Sequence, residues 1–155
     1  MKTKTFLSTL LFLSILISCS NNNEGEKGLN KEASLPDVLL NKVSGLKVIN
    51  SSINIKKHTT SLLYGNQKAI DRITLNQSTA QKGEILIWIT WAQKSDPNWF
   101  GAFIPGKLLS FEVLEFKSTL QYQKFEGSEM ELKKDTLGNR DHIKILLQQK
   151  RAILP

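Results

Sequence analysis

One stretch of nine residues decides the fold of this chain: Glu84-Ile85-Leu86-Ile87-Trp88-Ile89-Thr90-Trp91-Ala92. Its residues are mainly β-branched or aromatic, and both of its alternating faces are apolar, which predicts a strand that is covered on both sides. Such a strand lies in the middle of a sheet. Trp88 and Trp91 are three residues apart and so face opposite sides, and we expect each of them to pack in the core.

Shorter apolar stretches on either side predict the other strands of the sheet. Upstream, residues 46–55 indicate one strand or a bent pair, and residues 60–64 indicate another. Downstream, a loop with bulky side chains over residues 99–106 leads into a strand over residues 107–116, and a further strand follows over residues 120–125. We therefore expect an antiparallel sheet of about five strands.

Two helices complete the prediction. The turn Tyr64-Gly65-Asn66 supplies Asn66 as the cap of a short helix. Apolar residues at helical spacing follow it, namely Ala69, Ile70 and Ile73. The polar residues between them are expected to face water: Gln67, Lys68, Asp71 and Arg72. Residues 139–152 predict a closing helix. The fold class is therefore α+β, with helices at one face or end of the sheet.

The first residues have the pattern of a secretory signal. Two lysines precede an apolar run over residues 6–17, which is well short of the roughly 20 residues that span a bilayer as a helix. The run ends in Leu16-Ile17-Ser18-Cys19, which resembles the lipobox of bacterial lipoproteins. Cys19 is then the expected lipidation site, carrying diacylglycerol and a fatty acid such as palmitate. It is the only cysteine, which excludes an intramolecular disulfide and a Cys-x-x-Cys pair.

The predicted organisation has three parts: a lipoprotein signal peptide over residues 1–18, a flexible polar tether over residues 19–35 and a folded domain over residues 36–155. The lipid anchor makes a membrane the first expected partner, and we expect the cell envelope as the location, at the outer membrane with the domain facing the periplasm or the outside. The charge is mildly basic without a basic stripe, so no nucleic acid is expected as a partner.

No pattern for catalysis or metal binding stands out. The chain has no nucleophile with a paired base, no glycine-rich phosphate loop and no convincing carboxylate pair, so no catalytic residue is assigned and a hydrolytic enzyme ranks last. His58 in a polar turn and His142 at a helix start favour surface roles. Met130 lies in a charged loop and is expected neither in the core nor as a ligand. Asp96, before Pro97, is expected to form an Asx turn.

Aromatic residues are the main candidates for ligand binding. Trp99 and Phe100 lie in a loop, where exposed aromatic side chains often mark recognition, and Trp99 could instead cap the open end of the sheet. The candidate pocket combines aromatic residues with the helix cap: Tyr64, Asn66, Trp91, Trp99 and Phe100.

Three segments carry a resemblance to the cytochrome P-460 family. They are residues 60–69 with the Tyr64-Gly65-Asn66 turn, residues 83–91 with the apolar strand ending in Trp91, and the loop over residues 96–106. These segments resemble the family in order and spacing over roughly residues 43–125. The resemblance implies an exported haem c domain, mostly of antiparallel β structure, that oxidises small nitrogen compounds such as hydroxylamine.

The chain departs from that family at the haem-attachment site. The family attaches haem through Cys-x-x-Cys-His near the C-terminus, whereas no cysteine follows Cys19 here. Covalent haem c is therefore excluded, and the chain resembles a haem-less branch. This implies a non-catalytic domain that binds a small ligand or an envelope protein, with no cofactor expected. The alternative is a redox protein for small nitrogen compounds that holds haem non-covalently through His58 or His142.

Overall fold

The structure, a computed structural model, describes residues 30–133 and 140–150. The predicted signal peptide, Cys19, most of the predicted tether and both ends of the predicted closing helix lie outside these residues. The described residues form an antiparallel sheet with helices, which confirms the predicted α+β class.

Six strands follow one another across the sheet in chain order, each antiparallel to the next. They are β1 (Lys47–Asn54), β2 (Thr59–Gly65), β3 (Ile85–Ser95), β4 (Phe103–Phe116), β5 (Leu120–Glu126) and β6 (Glu131–Leu132). The first five correspond to the predicted strands. The sixth is two residues long, too short for an alternating pattern to indicate it.

Three helices accompany the sheet in the described residues: α1 (Asp37–Val43), α2 (Gln67–Thr74) and α3 (Arg140–Leu147). The sequence predicted α2 and α3. It did not predict α1, whose seven residues bury only Leu39 and therefore show no helical periodicity. A single 3-10 turn, Lys31–Ala33, precedes α1.

Both faces of β3 are covered, as the sequence predicted. On one face Ile87, Ile89 and Trp91 share an apolar cluster with Leu39 of α1. On the other face, Leu86 and Trp88 share a cluster with buried residues of α2 and α3. The two predicted helices therefore share one face of the sheet, as expected, whereas α1, which the sequence did not predict, lies on the other face.

The strand β4 is longer than predicted, since it begins at Phe103 rather than near Lys107. Its pairing with β3 shifts register twice, between Thr90 and Trp91 and between Trp91 and Gln93. Such bulges bend a strand and increase its twist. The proline and glycine at residues 105 and 106 concealed this part of the strand in the sequence.

Two segments that were predicted to be polar and flexible pack against the core. Ala33 and Leu35, at the end of the predicted tether, pack against the cluster of Trp91, whose indole Nε1 donates to the Ala33 carbonyl at 2.8 Å. Met130 is 8% exposed and belongs to the same cluster, so its expected place outside the core was wrong. Met130 ends a turn and has a φ of 51°, and this turn directs its side chain into the core. Its two neighbours in the sequence, Glu129 and Glu131, are exposed.

The junction between β2 and α2 requires glycine for reasons of space. A Cβ on Gly65 would lie 2.5 Å from Cδ1 of Ile49 and 2.9 Å from Cβ of Ala69. The first of these atoms ends a flexible side chain, but the second is fixed to the helix. The absence of a side chain at Gly65 therefore lets α2 pack directly against the sheet.

We expect Gly65→Ala to lower the free energy of unfolding by about 1–3 kcal/mol, because the added methyl group overpacks this junction. Urea denaturation measures the effect. Ile49→Val removes the Cδ1 atom that the new methyl group would meet, so the double variant should lose less than the sum of the two single losses. Strictly additive losses would contradict this account of Gly65.

Candidate functional site

The structure does not bring the five predicted pocket residues together. Asn66 caps α2, since its Oδ1 accepts from the Ala69 N–H at 3.1 Å, and it lies beside Ile85 at the start of β3. Trp99 and Phe100 follow the end of β3 at Ser95, and ten residues of strand span about 30 Å. Trp91 is buried and Tyr64 is half-buried against the same cluster, where burial raises the pKa of Tyr64.

Two hairpin turns lie side by side at one end of the sheet. They are the turn between β1 and β2, residues 55–58, and the turn between β3 and β4, residues 96–102. Gln93, near the end of β3, links β3 to the first turn, since its backbone N–H donates to the His58 carbonyl at 2.8 Å and its Nε2 donates to Thr60 Oγ1 at 3.0 Å. Asp96 Oδ1 accepts from the Asn98 N–H at 2.8 Å, which confirms the predicted Asx turn. We call this region the hairpin end.

An apolar cleft of about 390 Å³ opens at the hairpin end. It is lined by Ile53, Ile55, His58, Thr60, Gln93, Phe103 and Pro105. Three of the apolar side chains, Ile53, Ile55 and Phe103, remain 67%, 79% and 59% exposed. Apolar walls with a few polar groups, at this size, are typical of small-molecule sites. We call it the hairpin cleft, and it includes His58, one of the two predicted haem ligands.

The other predicted haem ligand, His142, contacts a buried carboxylate. Its Nε2 lies 2.8 Å from Glu112 Oε2, although without the alignment of a hydrogen bond, and the Tyr122 hydroxyl donates to the same oxygen at 2.6 Å. Burial raises the pKa of Glu112, but His142, Tyr122 and Lys124 outweigh it and lower that pKa overall. Burial and the Glu112 carboxylate raise the pKa of Tyr122. Glu112 therefore connects β4 to Tyr122 of β5 and contacts α3 through His142.

Arg72, which was expected to face water, is buried in an ion pair. It is 4% exposed, and its Nε lies 2.7 Å from Oε1 of the fully buried Glu84. Its Nη1 donates to the Leu147 carbonyl at 3.2 Å, and Glu84 Oε2 accepts from the Gln81 N–H at 3.2 Å. The pair thus joins α2, the start of β3 and α3. The expectation was wrong because α3 covers a face of α2 that helical spacing alone leaves open.

A second cavity, of about 480 Å³, lies between α2 and α3. Arg72, Lys144 and Lys150 contribute to its lining. Glu84 already neutralises Arg72, and both lysines are exposed to solvent. Arg72 Nη2 is buried and has no hydrogen-bond partner within the described ranges. This cavity therefore combines two exposed lysines with one buried guanidinium nitrogen, whereas the hairpin cleft gathers exposed apolar side chains from two hairpins. We take the hairpin cleft as the candidate site.

Both buried carboxylates have a signal in the sequence that is separate from helix and strand periodicity. Glu84 begins, and Glu112 interrupts, stretches whose neighbouring residues are mainly apolar. A carboxylate that a strand carries into the core needs a partner, because its burial without one is costly. The identity of those partners depends on how α2 and α3 lie on the sheet, which no local pattern gives.

Neither a metal centre nor a membrane span is found within residues 30–133 and 140–150. No three or more His, Cys, Asp or Glu side chains come together there as potential ligands. Within the same ranges, no helix has the length and apolar composition needed to cross a bilayer. In comparisons with known proteins, no family model matches the chain, and no curated protein matches it.

We expect Glu112→Gln to weaken the dependence of stability on acid pH. Because the folded-state pKa of Glu112 is lowered, the ionised group stabilises the fold above its ordinary pKa, and this contribution is lost as the pH falls through the folded-state value. The variant should be less stable at pH 7 by about 1–3 kcal/mol. It should also lose less on acidification than the wild type, measured by urea denaturation at several pH values.

Glu129→Gln is the matched control for this measurement, because Glu129 is an exposed glutamate near β6. The control should keep both the stability and the pH dependence of the wild type. A wild-type pH dependence in Glu112→Gln would contradict the assigned role of the buried carboxylate.

Proposed function

We propose that this protein is a lipid-anchored domain of the cell envelope that binds a small apolar ligand in the hairpin cleft without catalysing a reaction. The hairpin cleft is the observation that carries the proposal. It gathers solvent-exposed apolar side chains from two hairpins around a space of about 390 Å³. A ligand that covered Ile53, Ile55 and Phe103 would remove their apolar surface from water, which favours binding by roughly 25 cal/mol per Å².

The polar groups of the hairpin cleft favour recognition by shape more than by charge. Thr60 and Gln93 already hydrogen bond to each other. The His58 carbonyl accepts from Gln93, while the His58 imidazole has no partner within the described ranges. The His58 imidazole is therefore the polar side chain of the cleft that can orient a ligand by hydrogen bonding.

The anchor is supported by the signal pattern and by Leu16-Ile17-Ser18-Cys19. With two or more acyl chains the domain would stay on the membrane, at the outer membrane in this proposal, facing the periplasm or the outside. The resemblance to a haem-less branch of the cytochrome P-460 family supports the same location. Its three segments fall on consecutive parts of the fold: β2 with α2, β3, and the turn into β4.

We expect a labelled fatty acid fed to an exporting host to be incorporated into the protein through Cys19. The Cys19→Ser variant should carry no label and should leave the membrane fraction, since the thiol that forms the thioether is gone. Labelling that persists in Cys19→Ser would contradict the anchor.

We also expect Ile53→Asn to weaken the binding of a fluorescent fatty-acid probe by about tenfold or more, which corresponds to roughly 1.4 kcal/mol of lost apolar contact. Val48→Asn is the matched control. Val48 is an exposed apolar residue of the same strand, at 53%, but it does not line the hairpin cleft. Fluorescence titration gives the affinities, and equal affinities for the two variants would place the probe elsewhere.

Non-covalent haem is the second candidate ligand, because His58 lies among apolar walls and imidazole is a common axial ligand of haem iron. Haem titration distinguishes this candidate from a small apolar ligand without iron. A Soret band that saturates at one equivalent, disappears in His58→Ala and remains in His142→Ala would favour haem. The absence of a band in the wild-type protein would remove this candidate.

A further inference from the structure

The hairpin end carries large apolar side chains that project into water. Phe100 is fully exposed and Trp99 is 73% exposed in one turn, and Ile55 is 79% exposed in the other. Single exposed apolar residues are ordinary on protein surfaces. Here they are concentrated at one end of the sheet, next to the exposed Ile53 and Phe103 of the hairpin cleft. A surface of this kind marks a binding interface.

Cationic side chains accompany the apolar ones. Lys56 and Lys57 follow Ile55 in the first turn, and both are exposed. Neither forms an ion pair within the described ranges. Two carboxylates lie at this end: Asp96, whose Oδ1 accepts from the N–H of Asn98, and Glu32, which forms an ion pair with Lys94. Aromatic rings that settle at the headgroup level, together with lysines, complement an anionic lipid surface.

The chain enters the domain at this same end. Lys94, one residue before the end of β3, donates to Glu32 Oε2 at 3.1 Å. Cys19 precedes Glu32 by 13 residues, which span at most about 45 Å when fully extended. This length would let a lipid on Cys19 lie in the same bilayer that the hairpin end contacts.

We propose that the hairpin end docks on an anionic lipid bilayer, with Trp99 and Phe100 in the interface and Lys56 and Lys57 against the headgroups. The inference rests on the proposed function only for the lipid anchor that brings the domain to the membrane. The docking itself belongs to the folded domain. The hairpin cleft then opens at the lipid surface, so the apolar ligand is a lipid or a molecule dissolved in the bilayer.

Tryptophan fluorescence can report the contact between the hairpin end and the bilayer. Trp88 and Trp91 are 8% and 6% exposed, so a blue shift on binding reports Trp99. The chain from residue 19 onward with Cys19→Ser keeps the compact unit of residues 31–155 and removes the anchor. It is titrated with vesicles of phosphatidylglycerol and phosphatidylcholine, and binding is measured independently by sedimentation.

We expect a saturable blue shift with the anionic vesicles and quenching of that emission by lipids brominated near the headgroup. Trp99→Phe should abolish the blue shift. Phe100→Ser, and separately Lys56→Glu with Lys57→Glu, should each weaken vesicle sedimentation at least about fivefold. Leu75→Ser and Lys82→Glu change an exposed leucine and an exposed lysine outside the hairpin end, and they should keep the wild-type affinity.

Three results would overturn the inference. They are an unchanged emission with no sedimentation, equal affinity for vesicles of phosphatidylcholine alone, and a blue shift that depends on protein concentration without lipid, which would indicate a second copy of the chain. Suppose that the protein binds the fatty-acid probe and carries the label on Cys19 but does not bind vesicles. The docking inference is then wrong, and the proposed function stands. If the protein binds vesicles but carries no label and does not bind the probe, the proposed function is wrong and the docking inference stands.

Discussion

The strand β3 cannot face water on either side, and the rest of the domain follows from this constraint. Five of its residues between Leu86 and Trp91 are buried apolar side chains, divided between the two faces of the sheet. Burying one such side chain contributes roughly 1.5–3 kcal/mol, so both faces need a cover. Leu39 of α1, together with Ala33, Leu35 and Met130, helps to cover one face, and α2 with α3 cover the other.

Apolar contact alone does not fix how a helix lies on a sheet, because it is not directional. The buried polar groups form directional contacts that can fix the orientation of each helix on the sheet. Arg72 and Glu84 fix α2 relative to the start of β3 and reach the end of α3, while Glu112 meets Tyr122 and His142 beneath α3. Removing one member of such a pair leaves a buried group without its partner, which costs more than the pair contributes. We therefore expect these residues to fix the orientation of the helices as well as to contribute to stability.

Local patterns predicted β3, the Asn66 cap and α2, because each depends on residues that are neighbours in the sequence. They did not predict α1, the start of β4 or the inward turn of Met130, where a short element or a proline and glycine interrupt the periodicity. For the candidate site, the sequence singled out Trp99, Phe100 and His58 separately. That their turns lie side by side depends on the pairing of β2 with β3 and on Gln93, which no local pattern encodes.

The serial order of the strands also has a kinetic consequence. Apart from the pairing of β2 with β3, which spans the segment containing α2, every strand pairs across a short turn with the strand before it. Contacts that are close in sequence form quickly, because little loop entropy is lost before they form. During synthesis, which proceeds from the N-terminus, the chain could add each strand to an edge already in place. Few unpaired edges would then remain exposed long enough to join with other chains.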